Sequence, residues 1–309
     1  HYFNQGLTMI SGVQKYHSNS IPVIIYDLGL SISQKQLLST LSNIYLVDFP
    51  KEDFLFFDKY FEPKSYGYKC FIMWHIRHIM NMGDIALWID SGVCPLKPLD
   101  SIFKKISHDE VFFIDHDDKS TSLLNIHCTS DNCCSILSAK NKELIGTHLR
   151  SSLMGYKIGG NYDTLFEDAF NYSLEEKATL GNKHPRPKLN SENSNNIKKV
   201  ILNPSIVENI EFSKLREMFN YYGHRQDQSI YSILAARYQA PLSSAKSYCI
   251  SCDDSSKVSK ENWDSGAISK NINITHKIPS FYLNGQSITM QHRGIYINYR
   301  GLMKNTKQK

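Results

Sequence analysis

Apolar and polar positions along the first 120 residues fall into short blocks of two alternating kinds. Residues 21–26 (IPVIIY) form a continuous apolar, β-branched run ending in Asp27-Leu28-Gly29, which predicts a buried strand running into a turn. Residues 34–41 read as a helix and 44–47 as a second strand. Residues 67–80 predict a longer helix whose Phe71, Trp74 and His78 share one face at three- and four-residue spacing. Residues 84–89 (DIALWI) supply a third strand, 98–106 a short helix with Pro98 near its first turn, and 111–114 (VFFI) a fourth strand. This order is the pattern of an α/β domain with a largely parallel sheet.

Beyond residue 120 the alternation loosens. Helices are expected at 142–149, 164–178, 213–219 and 228–238, the last with Asp227 as its capping acceptor. Residues 181–199 are so rich in Asn, Ser, Lys and Pro that they bury no apolar surface and read as a long mobile loop. Short β-like pieces lie around 287–298.

Composition narrows the classes. The 309 residues suit one large domain or two modest ones, and 41% hydrophobic with 21% charged residues excludes collagenous and wholly disordered chains. Net charge +5 suits an anionic small ligand or a membrane surface. It lacks the Lys and Arg blocks of a nucleic-acid grip, so no nucleic-acid partner is expected. No apolar run approaches the roughly 18 residues of a spanning helix, which leaves peripheral membrane association open. Seven cysteines, an odd number in a chain too large to need stapling, point to reduced thiols and a cytoplasmic setting. The chain opens at His1 without a Met, which points to a fragment of a longer protein.

In open α/β sheets, ligands sit beyond the carboxyl ends of the strands, so strand-terminal acids are the first candidates. Asp27 ends the first strand and Asp90 the third. Each either holds a cation or a ribose hydroxyl, or caps the turn that follows. Three other signals compete. Asp115-His116-Asp117-Asp118 is either a metal site or an acidic surface turn. Cys249-x-x-Cys252 with His127, Cys128, Cys133 and Cys134 is a zinc set only if distant segments meet. His75 and His78 are ligands or members of an apolar helix. Gly155-x-x-x-Gly159 lacks the Lys-Ser/Thr of a phosphate loop.

Four segments taken together resemble a known family: Val23 to Leu30 (VIIYDLGL), the Tyr68-Lys69 helix start, Leu87 to Gly92 (LWIDSG) followed by Pro98 to Phe103 (PLDSIF), and His224 to Ser229 (HRQDQS). In order and spacing these resemble nucleotide-sugar glycosyltransferases of the GT-A fold. The resemblance spans about two thirds of the chain and implies a single GT-A-like domain over residues 1–309, with a Rossmann-type mixed, mostly parallel sheet. Residues 1–120 would form the nucleotide-binding half and 121–309 the acceptor-facing half. The implied activity is transfer of a sugar from a nucleotide-diphosphate sugar, UDP-linked by family habit, to a hydroxyl of a glycan or other acceptor.

The implied roles follow position by position. Asp27, Lys69, Asp90, Gly92 and Arg293 would address the donor. Asp90 falls at the family's metal position, with His292 as the later ligand for Mn²⁺ or Mg²⁺. Gly92 stands where the usual motif has a second acid, which puts metal dependence in question. Asp227 would act at the reacting centre, as a base or by steadying an oxocarbenium-like sugar. Tyr156, Gly159, Asn161 and Gln228 would line the acceptor side. Two other functions fit the same residues: a non-catalytic sugar- or nucleotide-binding module of this fold, and a metal-dependent phosphohydrolase using Asp90 with residues 115–118.

Overall fold

The computed structural model describes residues 3–18, 20–57, 60–62, 65–118, 121–181, 207–248, 250–251, 268–270 and 294–299. Helix α1 (Phe3–His17) comes first and has no counterpart in the sequence reading. Its Phe3, Leu7, Ile10 and Val13 are buried at helical spacing. There follow β1 (Val23–Asp27), α2 (Ile32–Ser39), β2 (Ile44–Asp48), α3 (Gly67–His75), β3 (Ile85–Asp90), β4 (Val93–Pro95), α4 (Asp100–Asp109) and β5 (Val111–Asp115). A small hairpin of β6 (Asp117–Asp118) and β7 (Thr121–Ser122) leads to the short helices α5 (Asn125–Cys128), α6 (Asp131–Ile136) and α7 (Asn141–Leu144). Then come β8 (Leu149–Lys157), α8 (Asp163–Ser173), α9 (Glu176–Leu180), α10 (Phe212–Glu217), α11 (Gln226–Arg237) and β9 (Leu242–Ser243). The last strands are β10 (Ile250–Ser251), β11 (Ile268–Lys270) and β12 (Gly294–Tyr299).

The main sheet has the order β2-β1-β12-β3-β8-β5-β9. Within it β1 pairs parallel with β2 and β5 with β9, while β12 and β8 pair antiparallel with both neighbours. Five strands therefore run one way and β12 and β8 the other, a mixed sheet with most strands co-directional. The fold class is α/β. A second, three-stranded sheet has the order β10-β11-β4.

Strand alternation sorts the side chains into two apolar layers, as period-two geometry requires. Ile24, Tyr26, Ala86, Trp88, Phe113, Met154 and Tyr156 join α3, α8 and α11 on one face. Val23, Ile25, Leu87, Ile89, Phe112 and Ile114 join α1 and α4 on the other. Gly12 marks how closely α1 lies on β4, since a Cβ there would sit 2.8 Å from the Pro95 carbonyl oxygen.

Several expected boundaries move. The helix expected at 142–149 is only the one turn of α7, and the chain then enters β8, whose continuation to Lys157 the sequence reading missed. The backbone after α7 bonds outward, with Asn125 N–H donating to the Gly146 carbonyl and His148 N–H to that of Leu123. The expected helix 164–178 divides into α8 and α9. Ser173 Oγ donates to the Phe170 carbonyl at the break, competing with helix continuation. Helix α3 tightens into a 3₁₀ turn over Ile76–His78. The β-like tail becomes β12, inserted between β1 and β3. The loop expected at 181–199 lies, beyond Gly181, outside the described residues.

Candidate active site

Three elements meet at one point on the sheet edge. Strand β3 delivers Asp90 at its carboxyl end, α3 delivers Lys69 in its first turn, and α11 delivers Asp227 in its own first turn. The Lys69 Nζ lies 3.0 Å from Asp90 Oδ1 and 3.3 Å from Asp227 Oδ2. The start of β8 closes the group, where Lys69 donates to the Ser151 carbonyl at 3.2 Å and to Ser151 Oγ at 3.3 Å. Trp88, two residues before Asp90 and on the same strand face, donates its indole N–H to Asp90 Oδ1 at 2.7 Å. The ammonium also sits over the Tyr66 and Trp88 rings, at 5.3 and 5.4 Å from their centres.

Burial differs sharply across the group. The Lys69 and Asp227 side chains are 2% and 4% exposed, whereas that of Asp90 is 27% exposed and opens to solvent. Burial raises the pKa of Asp227, and the Lys69 charge works against that rise. Burial likewise opposes the Lys69 ammonium, but the carboxylates of Asp227 and Asp90 more than offset it and hold Lys69 above its ordinary value. Asp227 Oδ2 lies within ion-pairing reach of Lys69. Ser151, beside the same carboxyl, also works against the rise in its pKa. Neighbouring Cys70 is buried, and its thiol is pushed well up, by burial first and the Asp227 charge second.

These contacts revise several expectations. Asp227 is not a helix cap: α11 begins at Gln226, its N-cap position is Arg225, and Asp227 turns inward to Lys69. Lys69, expected to address the donor, instead has its ammonium held by Asp90 and Ser151 beneath a closed surface. Asp27 goes elsewhere. Strand alternation sets it on the Ile25 face of β1, opposite the Trp88–Asp90 face of β3, and its Oδ1 accepts from Gly29 N and Leu30 N. Its Oδ2 lies 2.5 Å from Lys35 Nζ, so these contacts are those of a turn cap with an ion pair.

The acceptor-side expectation is corrected more strongly. Strand β8 runs antiparallel to β3, so Ser151 lies at the Asp90 edge, whereas Tyr156 pairs with Ala86. Four residues of strand separate Ala86 from Asp90, about 13 Å at 3.3 Å per residue. Tyr156 is buried and donates its hydroxyl to the Met73 carbonyl. Gly159 and Asn161 follow it at that far edge, where Asn161 N–H donates to Glu110 Oε2. Gln228 alone of that set stays near the site, with its Nε2 donating to the Leu149 carbonyl. Ser151, Trp88 and Tyr66 were not anticipated. An unrecognised strand hid Ser151, but the i, i+2 spacing of Trp88 and Asp90 was a readable sign of a shared strand face.

The remaining candidates do not assemble. Asp115 Oδ1 accepts from Ala245 N. His75 Nδ1 hydrogen-bonds the Tyr26 hydroxyl at 2.7 Å, His127 Nδ1 accepts from Leu124 N, and Cys134 Sγ accepts from Arg216. Among the described residues no three His, Cys, Asp or Glu side chains group to hold a metal ion. Cys249, Cys252, His292 and Arg293 lie outside the described residues. The described donors do not fit an inner-sphere divalent cation. Asp90 has one uncommitted oxygen beside a fixed ammonium, and position 92 brings no carboxylate. That vacancy is not steric, for a Cβ at Gly92 would approach only Gln5 Oε1, at 3.9 Å.

No protein-family model matches the sequence, and no curated protein matches it. Among solved structures, the chain is similar to the apo crystal structure of mouse xyloside xylosyltransferase 1, with a TM-score of 0.40 and 10% identity over 90% of this chain and 94% of that one. A likeness at that level fixes no residue role. Among the described residues no helix is long and apolar enough to cross a membrane.

Proposed function

We propose that this chain is a glycosyltransferase that moves a sugar from a nucleotide-diphosphate donor, UDP-linked in the first instance, to an acceptor hydroxyl of a glycan. The observation that carries this reading is the buried Lys69 ammonium binding Asp90 and Asp227 into one group at the carboxyl edge of the co-directional strands. Ligands of open α/β sheets bind at that edge. The motif segments containing Lys69, Asp90 and Asp227, distant in sequence, contribute to that one place.

The roles follow from charge and exposure. Lys69 lies between the two carboxyls and holds them together, and its charge works against the burial that raises the Asp227 pKa. Asp90, open to solvent, accepts hydrogen bonds from donor hydroxyls. Asp227 acts at the reacting centre, either taking the acceptor hydroxyl proton or steadying positive charge on the sugar, and burial raises its basicity. No step is assigned to a metal ion, because the described donors do not fit one. The phosphohydrolase reading has no comparable support, since the Asp115 carboxyl is bonded to Ala245 N.

A thermal-shift panel of nucleotide sugars, run with and without Mn²⁺, tests the donor class, because a ligand that binds only the native state raises its melting point. One nucleotide sugar should stabilise the protein and be slowly hydrolysed, with release of the free nucleotide. D227N should retain the shift and lose about 10²–10⁴-fold of the turnover. No shift with any donor would overturn the reading, and full turnover in D227N would remove Asp227 from the chemistry. Binding without turnover in the native protein would favour the non-catalytic module.

A further inference from the structure

Asp90 uses its two carboxylate oxygens unequally. Oδ1 receives two donors, the Trp88 indole N–H at 2.7 Å and the Lys69 ammonium at 3.0 Å. Oδ2 has no hydrogen-bond donor or ion-pair partner among the described residues, in a side chain 27% exposed. The indole that makes this division is itself 1% exposed and locked in the strand. A buried indole N–H needs an acceptor, and here it finds one two residues along its own strand face.

We propose that Trp88 is a positioning residue for ligand binding: it and Lys69 saturate Oδ1, so that Asp90 meets its ligand through Oδ2 alone, as a single acceptor for a hydroxyl of the sugar or ribose. This rests on the transferase reading for the identity of the ligand, but not for the geometry. Without the indole N–H the carboxyl turns about its Cβ–Cγ bond, with Lys69 as its one remaining fixed donor, and its ligand-facing oxygen loses its direction. Phe in place of Trp88 keeps the apolar ring and removes the donor. A purely structural tryptophan would tolerate that change without loss of ligand.

Two measurements on the full chain test this. In ligand-free protein, the Trp88 indole N–H resonance should be shifted downfield, and D90A should abolish that shift. An indole resonance indifferent to D90A overturns the hydrogen bond and the proposal with it. The second arm uses the nucleotide sugar that gives the largest thermal shift in the panel. W88F should bind it about tenfold more weakly, the scale of one hydrogen bond to a charged group, while the melting point of the free protein stays close to native. W74F, changed outside the site, should bind normally. Native affinity in W88F overturns the positioning role. If no nucleotide sugar binds the native protein, the transferase reading falls and the indole arm alone decides whether Trp88 holds Asp90.

Discussion

Asp27 and Asp90 end two strands that run in the same direction to the same edge of the sheet, and each reads in the sequence as an acid directly after a buried apolar strand. The structure gives them opposite fates. Asp27 bonds backward into its own turn, accepting from Gly29 N and Leu30 N, with Lys35 as its surface counter-ion. Asp90 bonds across the fold, to a lysine from α3 that also reaches an aspartate from α11. What separates them is the sheet face. Asp27 lies on the face covered by α1 and α4, whereas Asp90 lies on the face where the first turns of α3 and α11 converge. A strand-end acid thus becomes a cap or a site member according to what the opposing layer places above it.

The two lysines break this comparison most directly. Lys69 is buried between two carboxylates, so K69M leaves uncompensated charge inside the protein and should cost about 3–5 kcal/mol, with turnover lost. Lys35 stands 42% exposed beside Asp27, and K35M should leave the melting point and donor binding where they were. Urea unfolding of both variants gives the contrast. Equal losses would mean that the two strand ends are energetically alike. Should K69M fail to fold at all, the double variant K69M/D227N, which removes the opposing buried charge, should recover part of the stability.

How far this was legible depends on whether a signal was local. The strands β1, β2, β3 and β5 were readable because continuous apolar runs next to turn residues need no partner to be recognised. Strand β8 was hidden, since Arg150-Ser151-Ser152 interrupts its apolar pattern where it skirts the site, and Gly155 stands in its interior, where glycine argues against a strand. In fact that glycine lies within the sheet, where a Cβ would sit 2.6 Å from the Ala86 carbonyl oxygen. Helix α1 went unread although its buried residues follow helical spacing. At the site, the residue types of Lys69, Asp90 and Asp227 were visible as motifs. Their mutual contacts were not, because those depend on two helices whose first turns meet over a strand end. Asp227 shows the limit well: an acid at a helix start reads as a cap, and only the third dimension turns it inward.

Acid should loosen the site face first. His148 and His224 stand beside the start of β8 and the start of α11, and burial lowers both pKa values, that of His224 to about 4. Above about pH 6.5 both imidazoles are neutral in the folded and unfolded chains alike. Below it the unfolded chain takes up protons that the folded one refuses, so stability falls with pH until His224 itself titrates near 4. Asp227, raised by burial, contributes with the opposite sign and blunts the fall. The urea midpoint should therefore drop between pH 7.5 and 5.0, and H224Q should flatten that slope while offering groups that can still bond Ser130 N and the Ala178 carbonyl. A midpoint indifferent to pH in the native protein would refute the assignment.

The smallest effect separates the two aspartates themselves. D27A removes the acceptor for Gly29 N and Leu30 N and should cost about 1 kcal/mol, the scale of a lost cap, whereas D27N keeps an oxygen in place and should cost less. Neither should alter the affinity for a nucleotide-sugar donor, because the Asp27 carboxyl is committed to its own turn and to Lys35. D90N, by contrast, keeps the shape of the side chain but removes the charge that Lys69 faces, and should weaken donor binding while leaving the turn after β1 untouched. Calorimetric titration of D27N and D90N with the same donor sets the two strand ends side by side. If D27N weakens binding as much as D90N does, the donor spans both faces of the sheet edge, and Asp27 belongs to the site despite its contacts.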